Sequence, residues 1–208
     1  GNLETETASV DLQGARAASL KISHGAGELK IHGGAGAGEL ARGSFAGGLD
    51  QKANRNGDRL EVRMRPARDF IDFPFFGSHV QIDWDVALNA DIPLALTLAV
   101  GANKSNLDLR DLSITDLKVE TGASDTKVTL PARGRLNADF DLGAASLEVV
   151  VPDGVSARIR ASIGAADLKV DQARFPRNGN VYQSPDFESA TNAVDMTIDA
   201  GAASIKIR

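Results

Sequence analysis

The sequence predicts an all-β chain wound as a right-handed or flattened β-solenoid with rungs of about 21 residues. Three observations carry that expectation. The pair Gly-Ala recurs at Gly101-Ala102, Gly122-Ala123, Gly143-Ala144 and Gly164-Ala165, each copy 21 residues after the last. Apolar residues alternate with polar ones on both sides of each pair, the period-two pattern of strands with one buried face. No window sustains a 3.6-residue period, and glycine occurs 21 times, which disfavours helix.

Taken in chain order, residues 1–8 read as a polar lead-in and 9–208 as one solenoid domain. A first unit holds Leu20 and Ile22 before Gly25-Ala26, and Leu29 and Ile31 after it. Residues 33–92 break the period: a glycine-rich stretch at 33–38, alternating segments at Leu60–Met64 and Val80–Leu88, and long connections between them. Regular rungs occupy 93–173. Five and three residues before each glycine stand Leu96/Leu98, Leu117/Val119, Ala138/Phe140 and Ile159/Ala161; four and six after it stand Ser105/Leu107, Thr126/Val128, Leu147/Val149 and Leu168/Val170. An insertion at 174–192, with Pro176, Tyr182, Pro185 and Phe187, precedes the final strands of 193–208, where Gly201-Ala202 closes one more unit 37 residues after Gly164.

The corners are expected to use glycine for positive φ and alanine for tight stacking. At roughly 3.3 Å per extended residue a rung traces about 70 Å, enough for two strands and two turns around a thin core. A single rung cannot bury its apolar face; stacking does so. Outward residues such as Lys127, Glu148 and Lys169 alternate in sign along the repeat, which favours cross-strand pairing.

Composition narrows the function. With 42% hydrophobic and 25% charged residues the chain is globular, not disordered. A net charge of −5 argues against a nucleic-acid partner. There is no cysteine, so disulfides, thiolate metal sites and cysteine nucleophiles are excluded. No apolar run reaches the roughly 18 residues of a membrane span. The chain begins at Gly1, and membrane association is expected only through a segment upstream of it.

Candidate chemistry is sparse. His24, His32 and His79 do not make a zinc spacing, although His24 and His32 flank the first corner and could face one another across it. Asp83 and Asp85 flank Trp84, and Asp139, Asp141, Glu120 and Asp199 fall on nearby rungs; such carboxylates can serve acid–base chemistry or calcium, and some β-helical proteins cleave polysaccharides that way. Here they are interspersed with Lys118 and Arg160 and lack a nonapeptide calcium pattern. Gly101-Ala102-Asn103-Lys104-Ser105 echoes a phosphate loop without the glycine before the lysine or a following helix. The expectation is a non-enzyme with no catalytic residues, no cofactor and no metal. The candidate interaction patch is the aromatic cluster Phe70, Phe73, Phe75 and Phe76, with Trp84 close by in sequence; it either caps the solenoid or meets a partner.

The chain resembles the bacterial toast-rack domains. The resemblance rests on Leu20-Lys21-Ile22 and Gly25-Ala26-Gly27-Glu28-Leu29-Lys30-Ile31, on Trp84–Asn89 with Ile92-Pro93-Leu94, on the tandem Gly-Ala rungs, and on Tyr182–Phe187 before the last strand. It extends from about residue 10 to 208 and includes the LiaF-like C-terminal domains and an adhesin-like family of unknown function. It implies a right-handed solenoid of two facing sheets, an extracytoplasmic setting in an anchored or exported protein, and no catalytic residues. LiaF-like members restrain a two-component sensor in envelope-stress signalling. The functional expectation is a binding or structural module with a protein partner at the cell envelope or a second copy of itself. A carbohydrate-binding or carbohydrate-active β-solenoid is the alternative.

Overall fold

The computed structural model describes residues 4–67 and 81–208. Among these there is no helix, hence none long and apolar enough to cross a membrane. Nineteen strands form two large sheets. The first half contributes β1 (Thr5–Asp11), β2 (Ala17–His24), β3 (Gly27–Gly33), β4 (Glu39–Ala46), β5 (Leu49–Asn56), β6 (Arg59–Pro66), β7 (Trp84–Leu88), β8 (Leu94–Val100) and β9 (Asn103–Asp108). The second contributes β10 (Ile114–Thr121), β11 (Asp125–Thr129), β12 (Arg135–Leu142), β13 (Ser146–Val150), β14 (Ser156–Ile163), β15 (Asp167–Val170), β16 (Arg177–Asn178), β17 (Val181–Gln183), β18 (Ala193–Ala200) and β19 (Ser204–Ile207).

The 21-residue period is the register of the central ladders. Leu96 pairs Leu117 and Leu117 pairs Ala138; in the other sheet Lys104 pairs Asp125 and Asp125 pairs Ser146, all in parallel. Within each rung the chain runs up one sheet, turns at Gly-Ala and returns in the other. Inward side chains such as Leu20, Leu96, Leu98, Leu117, Phe140, Val149 and Ile205 are buried between the sheets.

Neighbours in space are not always neighbours in sequence. The sheet orders are β1-β4-β7-β3-β9-β11-β13-β19-β15 and β16-β17-β14-β18-β12-β10-β8-β2-β6-β5. The last rung, β18/β19, therefore lies inside the stack, between β12/β13 and β14/β15. At the other end the first rung, β2/β3, lies between β6/β7 and β8/β9. The rungs of the expected solenoid therefore do not all stack in chain order. Rungs with the same apolar alternation fit beside one another whatever their order, so the period specifies a rung and not its neighbour. One consequence is that Glu148 lies opposite Lys206, and Lys206 opposite Lys169, two like charges side by side.

Both ends carry antiparallel strands. Residues 5–8, expected as a lead-in, are the first half of β1, which pairs β4; β4 pairs β7, and β5 pairs β6. Within 33–92, where two strands and long connections were expected, the described residues form four strands, β4 to β7. At the far end β16 and β17 form a hairpin whose second strand pairs Arg158–Arg160 of β14.

The corner glycines stack in the order Gly25, Gly101, Gly122, Gly143, Gly201, Gly164. None of them has positive φ, contrary to expectation. Their requirement is closeness: a Cβ on Gly143 would stand 2.5 Å from the carbonyl oxygen of Gly122, while the ladder continues through the corner as Gly143 N–H donates to Thr121 O.

Candidate functional site

Alternation along β2, β3 and β7 decides where the sequence-selected residues go. Trp84 points inward, is 1% exposed, and packs edge-on against Phe45 (centroids 4.9 Å apart) and His24 (5.5 Å). Its Nε1–H donates to Ala46 O at 3.3 Å. It is a core residue and leaves the interaction patch. Phe70, Phe73, Phe75 and Phe76 lie outside the described residues, as does His79. In sequence they fall between β6 and β7.

His24 and His32 do not face one another, because they lie on opposite faces of the sheets. His24 is buried: Nε2–H donates to Ile82 O (2.8 Å), and Nδ1 accepts from the Asn103 amide (3.1 Å), which also donates to Ser105 Oγ (2.8 Å). Burial lowers its pKa against the raising influence of the Ile82 carbonyl and Asp83. The arrangement fixes a neutral ring with one N–H. His32 is half-exposed, with Nδ1 on Gly33 O (2.7 Å) and Nε2 on Asp85 Oδ1 (2.5 Å). Both partners are acceptors, so the site favours the doubly protonated ring, in which both nitrogens donate. Burial would lower its pKa, but the Gly33 carbonyl and the Asp85 carboxylate outweigh it and raise it.

The carboxylates are similarly occupied or dispersed. Asp83 accepts from Glu28 N (3.0 Å) and Asp85 is taken by His32, so they do not form a free acid–base couple. Glu120, Asp141 and Asp199 stand side by side on β10, β12 and β18, the first two at the spacing of the repeat and Asp199 through the inserted rung, but Glu120 is engaged by Lys118 at 3.2 Å. No group of three His, Asp or Glu among the described residues has metal-binding geometry.

The most developed surface is at the β14/β15 end. There the insertion folds against the outer face of β14 and makes two clefts. One, of about 280 Å³, is lined by Arg135, Asn137, Arg158, Phe187, Glu188 and Asp195. Its floor is Phe187, buried, with the guanidinium of Arg135 at 5.1 Å and that of Arg158 at 4.6 Å from the ring centroid. Arg158 also holds Asp195 (2.5 Å), and Arg135 donates to the carbonyl of Ala190. The other cleft, of about 480 Å³, lies between Arg160 and Arg177 and includes Gln183 and Ser184. These arginines were not singled out by sequence; the signal available was a pair of arginines at alternate positions of β14, Arg158 and Arg160, together with an aromatic in the insertion. The set offers hydrogen-bond donors and positive charge, without a nucleophile beside a base.

The same end exposes the edge of a sheet. Ala161, Ile163, Ala166, Leu168 and Val170, the inner row of β14/β15, are only half-buried, whereas their counterparts Leu147, Val149, Ile205 and Ile207 are buried.

A family model described as "N-terminal domain of toast_rack, DUF2154" matches residues 1–150. A solved structure described as a "putative cell adhesion protein" from Clostridium sporogenes aligns with TM-score 0.86 at 20% identity, over 99% of this chain and 98% of that one. That likeness is one of fold. A "putative adhesin" from Bacteroides fragilis aligns over 99% of this chain and 97% of its own at 8% identity, with TM-score 0.34, which carries no further argument. No protein of curated function matches the sequence.

Proposed function

The chain belongs to the toast-rack N-terminal domain family, and from that membership we propose that it is a non-enzymatic, adhesin-like binding module of a bacterial envelope protein. It works outside the cytoplasm, displayed by an anchored or exported chain, with its two sheets wound as a right-handed solenoid. The observation that carries the reading is the asymmetry of the surface. Polar rows cover both outer faces, while the clefts and the half-buried apolar row are gathered at the β14/β15 end. Such a surface recognises; it has no assembled chemistry. The phenylalanine segment at 70–76 is a second contact region by its composition alone. In the LiaF-like branch the module would act by restraining a sensor, and the same binding surface serves that role.

The test is direct. The purified domain should bind isolated envelope fractions saturably, and Phe73→Ser with Phe75→Ser and Phe76→Ser should weaken binding at least severalfold without changing the circular-dichroism spectrum. The carbohydrate reading keeps one favourable observation, the Glu120–Asp141–Asp199 row. Glycan turnover abolished by Asp139→Asn and Asp141→Asn would replace the binding reading with that one.

A further inference from the structure

The two sheets have four outer edges, and three of them are blunted. Among the described residues β16 is two residues long, and β5 and β1 are largely exposed, mostly polar strands, Leu49–Asn56 and Thr5–Asp11. Short or polar edges of this kind prevent pairing with another chain. β15 is different. Its inner residues Leu168 and Val170, with Ala166 just before them, are apolar and half-buried.

Its backbone is also available. Asp167 N–H donates to Ala203 O and Asp171 N–H to Ile207 O, so the odd-numbered residues direct their peptide groups toward β19. In a parallel ladder the alternate residues point the other way. The N–H and C=O of Ala166, Leu168 and Val170 therefore face outward, and among the described residues no strand meets them. On the outer face, Lys169 stands beside Lys206 in register, a like-charge pair that an acidic side chain on a next strand would relieve.

We propose that β15 is a docking edge for one extended segment of a partner protein, which adds a tenth strand to this sheet and sets an acidic residue opposite Lys169 between two apolar residues facing the core. A second copy of this chain is a poorer occupant. In the other sheet β17 already fills the next-strand position beside Ile159, paired through Tyr182, the position that the second sheet of another copy would need. A lone strand avoids that collision. This deepens the binding-module reading and rests on it.

The probes are a fluorescein-labelled heptapeptide, Val-Thr-Val-Glu-Val-Thr-Val, and its twin with lysine at the centre, read by fluorescence anisotropy on the whole domain. The glutamate peptide should bind the wild-type domain roughly three- to tenfold more tightly than its twin, the effect of reversing one surface charge pair. Lys169→Glu should invert that preference, and Leu168→Pro, which removes an outward N–H and leaves the β19 ladder, should bind neither. Hydrogen exchange at the Leu168 amide should slow in the glutamate complex. Equal binding of the two peptides, binding that survives Leu168→Pro, or no binding of either overturns the edge proposal. If the domain still captures envelope material in that case, the edge is wrong and the binding-module reading stands.

Discussion

At the residue scale, each polar or small side chain in the stack has a specific local cause. Asn89, 1% exposed, donates to Glu39 O at 2.9 Å and accepts from Asp91 N at 2.7 Å, pinning the turn after β3 against β7. The corner glycines differ among themselves in a way that substitution will expose. A Cβ at Gly143 meets a backbone oxygen at 2.5 Å, which cannot swing away as a side chain would; at Gly164 the nearest atom is 3.5 Å off. Gly143→Ala should destabilise by about 1–3 kcal/mol through forced backbone movement. Gly164→Ala should stay within about 0.5 kcal/mol of wild type. Chemical denaturation of the two variants decides it. The glycines themselves were legible in the sequence, but their reason was not, because rung-to-rung approach is a distance between residues far apart in the chain.

At the scale of elements, the inserted rung is the main departure from a simple repeat. Because β18/β19 joins β12/β13 to β14/β15, cutting the chain after residue 192 removes the joint and not a terminal turn. In a sequential solenoid such a cut would cost only the last rung. Here the truncated chain should lose protection throughout β14 and β15 and expose apolar surface from β12 and β13, as measured by hydrogen exchange. Protection of 156–170 equal to that of the whole chain would contradict the topology. One part of the insertion at 174–192 closes the core, where Phe175 and Tyr182 are buried. Its other half, through Phe187 between Arg135 and Arg158, builds a cleft instead. That pairing joins residues 52 and 29 positions apart, a separation with no periodic signature.

At the scale of the whole molecule, two histidines on opposite faces give stability opposite pH dependences. His24 has a lowered pKa, so the unfolded chain takes up its proton first, and its contribution is present above pH 6.5 and is lost as pH falls below it. His32 has a raised pKa, so its contribution is present below pH 6.5 and is lost as pH rises through the folded value above it. The unfolding free energy contributed by this pair should therefore peak near pH 6.5. Urea midpoints measured across pH 5–8 check this. Asp85→Asn should remove the loss on the alkaline side and leave the acid side unchanged; a profile indifferent to that substitution would contradict the pairing.

By itself the sequence determined the β class, the 21-residue offset between the paired central strands and the inward alternation, because strand burial repeats every two residues and is written in local order. It also placed Glu120 beside Asp141 in neighbouring rungs. Only the tertiary structure decided which rungs touch, that Trp84 belongs to the core, that His24 and His32 lie apart, and that Lys169 lies on a strand that is outermost among the described residues. The physical reason is that equivalent apolar faces stack equally well in any order. Adjacency is a matter of which strands pair across long sequence separations, and the repeat does not encode it.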